Sequence, residues 1–297
     1  MQFDFLSLLK DYNIPHTQEH HHCTPGWVNV HCPHCIGRPN FHLGIHLETG
    51  VCNCWRCGTH SLFSTLSKLL SVSPKQVAKI LLEYAHEGIA PRTRRKKYET
   101  GRTEAKLPIT TPLQDSHRKY LESRNFDVEE LIQVWNICST GPVGSYKHRI
   151  FIPIEMNRKI VSFQARTIHK HVKPRYKTCA KEDEAIHHKY IFYGMDYTKS
   201  KKSVIIVEGV TDVWRIGPGA QASFGITYTL SQVLLCMQYD KVYIMFDDEK
   251  NAQKQARKFA AEIEVAAGNE VYLIDKYGKD PGELSPDQVA KLRELVG

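Results

Sequence analysis

Ser203-Val-Ile-Ile-Val-Glu208-Gly-Val-Thr-Asp212 decides the fold: a β-branched run stops abruptly at a carboxylate followed by glycine. An unbroken apolar run of this kind predicts a strand buried on both faces, as in a parallel sheet. About thirty residues on, Lys241-Val-Tyr-Ile-Met-Phe246 repeats the pattern and ends in Asp247-Asp248-Glu249, ahead of a helical pattern over Asn251 to Ala267. In an open α/β sheet, ligands bind in the crevice at the carboxyl ends of the strands, so both acidic ends are expected to face one crevice. Carboxylates crowded together repel one another unless a divalent cation sits between them. The expectation is therefore a Mg²⁺ or Mn²⁺ site with phosphoryl-transfer chemistry.

Glu208-Gly-x-x-Asp212, Asp247-x-Glu249 and Lys279-Asp280-Pro-Gly-Glu together resemble the motifs of the Toprim fold, found in DnaG-type primases, topoisomerases, nucleases and RecR. The second acidic motif of that fold is usually Asp-x-Asp, and Glu249 here adds a methylene at its second position. The resemblance implies catalytic roles for Glu208, Asp212, Asp247, Glu249 and Asp280. Glu208, Asp247 and Glu249 would hold magnesium, Glu208 serving as ligand or general base and Asp280 as an outer ligand.

With 297 residues the chain is long enough for two or three cores. No stretch reaches the roughly 20 apolar residues of a membrane span, and the start lacks a signal-peptide pattern, so a cytoplasmic location is expected, in a bacterium or in the host of a phage. A net charge of +8 suits a polyanionic partner. Nine cysteines, crowded toward one end, argue for metal rather than disulfides.

Cys32-Pro-His-Cys35 and Cys54-Trp-Arg-Cys57 are two Cys-x-x-Cys knuckles with eighteen residues between them and a hairpin-like alternation over Phe41 to Gly50. That spacing predicts a zinc ribbon with one structural zinc on Cys32, Cys35, Cys54 and Cys57, because two intervening residues let both thiolates of a knuckle reach one ion. Cys52 is set aside, since Cys52 to Cys57 is too long for a knuckle. The phrase Cys54-Trp-Arg-Cys-Gly-Thr-His-Ser resembles the zinc-binding domain of DnaG-type primases, especially those of phages, where it selects the template. By that likeness His34, Arg38, Asn40, His42, His46, Trp55, Arg56 and His60 form a surface able to stack on or hydrogen-bond unpaired bases. The run His20-His21-His22 is expected to be a solvated loop.

Helices are expected at Ser61 to Leu70 and Lys75 to His86. Gly88 to Pro112 is rich in Arg and Lys with almost no large apolar residue, which predicts a basic linker that lets the ribbon close over a distant site. Beyond it, a helix from Gln114 and strands at Arg149 to Ile154 and Ile160 to Arg166 resemble the first part of the DnaG-type RNA polymerase core. The resemblance implies that Arg149, Arg166, Arg175 and Lys177 hold template and triphosphate, which the planar Arg fork suits. Ala222-Ser-Phe-Gly225-Ile-Thr227 resembles a strand-turn in which glycine lets the backbone approach substrate.

The expected fold class is α/β in the catalytic part and α+β overall. Residues 1–87 would be the zinc-ribbon template-recognition domain, 88–112 the linker, 113–200 the first polymerase subdomain and 201–297 a doubly wound parallel Toprim sheet. The expected function is a primase making short RNAs on single-stranded DNA from NTPs. No Gly-x-x-x-x-Gly-Lys-Ser/Thr loop occurs, so a separate helicase is the expected partner. The rival readings are a RecR-like DNA-binding mediator and a Toprim nuclease.

Overall fold

The computed structural model describes residues 2–19, 23–36, 40–86, 102–274 and 284–297. Arg38, Asp280, the histidine run at 20–22 and most of the expected linker lie outside them.

The N-terminal part is an antiparallel ribbon. Strand β1 (Gln2–Phe3) and helix α1 (Phe5–Asp11) precede strands β2 (His16–Thr17), β3 (Trp27–Val30), β4 (Leu43–His46), β5 (Cys52–Cys54) and β6 (Gly58–His60), paired in sequence order. Helices α2 (Leu62–Leu70) and α3 (Pro74–Glu83) follow, and β7 (Ala85–His86) returns to pair with β1. Ser73-Pro74 starts α3 with a capping box, in which the Ser73 hydroxyl accepts the Gln76 N–H and the Gln76 side chain accepts the Ser73 N–H. Val28, Val30, Leu43 and Ile45 alternate inward from β3 and β4 onto Phe63, Leu66 and Leu81 of the two helices.

The second part is an antiparallel sheet of β8 (Thr110–Thr111), β9 (Cys138–Thr140), β10 (Ile150–Met156), β11 (Lys159–Arg166) and β12 (Tyr176–Thr178), in the order β12-β11-β10-β9-β8. Helices α4 (Asp115–Glu122) and α5 (Val128–Trp135) join β8 to β9. The Asn157-Arg158 turn between β10 and β11 has positive φ at both residues, and Asp196 accepts both of their backbone N–H groups at 2.9 and 2.8 Å. The expected linker is shorter at its far end than its composition implied. Ala105 donates its N–H to Ile160, Lys106 donates to Asp183, and β8 pairs with β9, so residues from about 102 already belong to this sheet.

The third part is the parallel sheet that the opening stretch predicts. Strands β13 (Ser203–Val207), β14 (Ala220–Ala222), β15 (Lys241–Met245) and β16 (Glu270–Leu273) are all parallel, in the order β14-β13-β15-β16. The run Val204 to Val207 is fully buried, as a central parallel strand must be. Helices α6 (Val210–Ile216), α7 (Leu230–Leu235), α8 (Lys250–Ala267) and α9 (Pro286–Glu294) complete it, α6 meeting α9 and α7 meeting α8. The ribbon is not held apart from this sheet: α3 packs along α8, and Gly50 sits against Leu230. No helix among the described residues is long and apolar enough to cross a membrane.

Candidate active site and metal centre

Parallel register sets the two acidic strand ends side by side. Val207 of β13 pairs with Met245 of β15, so Glu208 stands level with Phe246 and Asp247 leaves the neighbouring strand one residue further on. The Glu208 carboxylate closes the gap, its Oε1 accepting the Asp247 backbone N–H at 2.9 Å. Gln253 of α8 donates to the carbonyls of Phe246 and Asp247, both at 3.1 Å, which fixes the turn from strand to helix. Glu249 is the exposed N-cap residue of α8, and its side chain makes no capping hydrogen bond.

Asp212 stands on the turn that follows Glu208. It lies in the first turn of α6, 6% exposed, and its Oδ2 accepts the Gly209 N–H at 2.9 Å. This bond closes the sharp turn that follows Glu208, so Asp212 shapes the site by holding its backbone.

A loop over Ser223 to Thr227 borders the same strand end. Gly225 donates its N–H to the Glu208 carbonyl at 2.8 Å, with φ of +104° and open space where a Cβ would stand. The loop is gripped from behind by Lys189, whose Nζ donates to the carbonyls of Ser223, Phe224 and Thr227 at 2.9, 3.0 and 2.8 Å. Burial pushes the Lys189 amine down to about 8, and the three carbonyls accept every proton the ammonium carries. Nothing in the sequence around Lys189 marks it, because its partners lie more than thirty residues downstream.

The four basic residues expected to bind phosphate divide in two. Arg149 is 6% exposed and its Nη1 donates to the carbonyls of Ala165, Pro174 and Arg175. It is a brace across β10, β11 and the approach to β12, not a surface cation. Arg166 is 3% exposed, and its guanidinium bonds the hydroxyls of Tyr120 and Tyr176 and lies over both rings. Its burial comes from Tyr120 of α4 and Tyr176 of β12, which enclose the guanidinium. Arg175 is exposed, and Lys177 reaches Ser145 while lying 4.9 Å from the Tyr146 ring centre. Replacing Arg149 with Met is expected to lower stability by about 2–3 kcal/mol, since it leaves buried carbonyls without donors. Urea unfolding checks this, with DNA affinity expected to be unchanged per folded molecule.

The knuckles converge at the end of the ribbon. Cys32 Sγ lies 3.6 Å from Cys57 Sγ, and Cys35 Sγ lies 3.7 Å from Cys54 and 3.3 Å from Cys57. A tetrahedron with Zn–S bonds of about 2.3 Å has edges of about 3.8 Å, so these thiolates fit a zinc ion. Ligand atoms of Cys32, Cys35, His42 and Cys54 also lie within 4.8 Å of one another, which makes a Cys₃His set. His42 was expected on the base-reading surface. It is 3% exposed instead, with Nδ1 3.5 Å from Cys54 Sγ, and burial lowers its affinity for a proton. Cys52 is buried, bonded to the Gly50 carbonyl, and pushed up to about 12 by burial, so it remains a thiol in the core.

Of the expected base-reading residues, His34 stacks on His60 at 3.9 Å and bonds Thr65, while His46 bonds Thr49. Asn40, Arg56 and Trp55, the last 58% exposed, are left at the surface.

No family model and no curated protein matches this sequence. Solved structures do share its fold. The zinc-binding and RNA polymerase domains of the Aquifex aeolicus primase superpose with a TM-score of 0.52 at 19% identity, covering 99% of this chain and 83% of that one. The DnaG catalytic core superposes with a TM-score of 0.52 at 20% identity, covering 63% of this chain and 74% of that one. The chain therefore has the fold of DnaG-type primases, ribbon included.

Proposed function

We propose that this protein is a DNA primase, a DNA-directed RNA polymerase that makes short RNAs on a single-stranded template. One observation carries the reading: on a fold shared with primases, parallel register brings Glu208 against Asp247 beside a glycine loop open to a substrate. Glu208 and Asp247 offer the hard oxygen donors that Mg²⁺ takes, and Glu249 and Asp280 are assigned to the same Toprim-like set. When bound, Mg²⁺ would neutralise the triphosphate and make the 3′-hydroxyl easier to ionise. Glu208 would help hold the ion or accept that proton, with solvent taking the proton in the first case; the 3′-oxygen attacks the α-phosphorus and pyrophosphate leaves. Asp212 and Lys189 hold the two backbone segments that flank the reacting groups.

The thiolate cluster is assigned to one structural zinc, and the ribbon around it to selection of the template through Trp55 and Arg56. Arg175 and Lys177 remain the assigned cations for template or triphosphate. The reading implies NTPs as substrates, a replicative helicase as a separate partner and a cytoplasmic place of work.

The test is incubation with labelled single-stranded DNA, NTPs and Mg²⁺. A primase gives RNA products, whereas fragments of the template would mark a nuclease and a shifted complex alone a binding mediator; either of the last two outcomes overturns the proposal. Lys189→Met should leave the protein folded by circular dichroism and lower synthesis about tenfold or more, because the loop loses three charged hydrogen bonds. Unchanged synthesis would remove the loop from the active site.

A further inference from the structure

A third group of ligand atoms shares no residue with the thiolate cluster or with the acidic strand ends. One atom each from Glu184, His187 and His188 falls within 4.8 Å of the others. The Glu184 side chain is 2% exposed, and its Oε1 accepts the Ser162 hydroxyl at 2.6 Å and the His188 backbone N–H at 3.3 Å. These two donors fix the carboxylate and are not themselves ligands.

The imidazoles converge on it: His187 Nδ1 is 2.6 Å from Oε2, and His188 Nδ1 is 2.8 Å from Oε1. Consecutive rings reach one carboxylate because a 3₁₀ turn begins at His188, placing them edge to face with centroids 4.6 Å apart. Each ring also meets an aromatic neighbour edge to face, His187 on Tyr190 and His188 on Phe224. The His187 side chain keeps 26% exposure and His188 13%, so the group opens to solvent on one side.

We propose that Glu184, His187 and His188 form a second metal site, for a divalent ion of the Zn²⁺ class. Two imidazoles and a carboxylate are donors of the type and number that such an ion takes in sites with an open fourth position, where water or a phosphate oxygen can bind. Loading needs only small motions. Each Nδ1 gives up its hydrogen, the ring keeping its proton on Nε2, and the donors spread from 2.6 and 2.8 Å to the roughly 3.3 Å edge of a tetrahedron with bonds of about 2 Å. Ser162 and the His188 N–H stay on the carboxylate and orient it, as partners of metal ligands do. The ion would tie the His187–Lys189 segment to β11 and so stiffen the loop that Lys189 grips beside Glu208. The site does not depend on the primase reading.

The experiment compares the metal content of the full-length protein after dialysis against Zn²⁺ or Co²⁺ and desalting. Wild type is expected to retain one equivalent more than the His187→Ala/His188→Ala variant, a difference that cancels ions held elsewhere. With Co²⁺, the lost component should show only weak ligand-field absorption, while the strong thiolate charge-transfer band of the ribbon is unchanged. His187→Ala alone, which removes the more exposed ring, should lose the same equivalent with an unaltered circular dichroism spectrum. Equal metal content in wild type and variants would overturn the proposal. So would the same loss on replacing the exposed His171 with Ala, which would make the extra ion adventitious.

Discussion

Glu208→Gln is expected to reduce templated RNA synthesis by about 10³-fold or more while leaving the protein folded. The amide keeps the length of the side chain and an oxygen able to accept the Asp247 N–H, so the turn seen at 2.9 Å survives. It loses the negative charge, and with it the ability to hold a hard cation or take a proton. Charge stabilisation by a bound metal contributes several kcal/mol to a transition state, and each 1.36 kcal/mol is a factor of ten in rate, which sets the expected size. Single-turnover extension on single-stranded DNA measures it, with circular dichroism as the control for folding. Synthesis at the wild-type rate would remove Glu208 from the chemistry.

The second large effect belongs to the thiolates. Cys54→Ser, or treatment with a strong chelator, should release the zinc and part the knuckles, because a structural zinc contributes about 10–16 kcal/mol of apparent binding energy to the segment it folds. The sulfur atoms now 3.3–3.7 Å apart would repel one another as thiolates without an ion between them. Zinc content should fall by one equivalent and synthesis to background. Cys52→Ala is the matched control: its thiol faces Gly50 in the core, so zinc should be retained. Loss of zinc from Cys52→Ala, or retention by Cys54→Ser, would contradict the ligand assignment.

Much of the frame was legible because it is written in local patterns. The run Val204 to Val207 ends at Glu208 with no polar interruption, which reads as a strand buried on both faces, and the structure places it in the parallel sheet. The knuckles were equally plain, since two residues between thiols is a geometric requirement. Illegible features depend on contacts distant in the chain. Arg149 and Arg166 end or begin strands and read as surface cations. Burial of Arg149 comes from carbonyls 16 to 26 residues away, and that of Arg166 from Tyr120, 46 residues back. Lys189 reads as one more lysine until the loop at 223–227 folds over it. His42 and His34 looked alike in sequence, yet His42, just ahead of β4, is buried with its Nδ1 toward the Cys54 thiolate. Composition also set the linker too long, because Ala105 and Thr110–Thr111 join the second sheet through backbone bonds that a basic, apolar-poor sequence does not announce.

Binding of Mn²⁺ followed by electron paramagnetic resonance tests the central claim most directly. Wild-type protein should hold an ion that Mg²⁺ displaces, and both Glu208→Gln and Asp247→Asn should lose it while keeping their zinc. Mn²⁺ binding that is the same in all three proteins would show that these carboxylates do not form a cation site, and the account of the active site would fail with it.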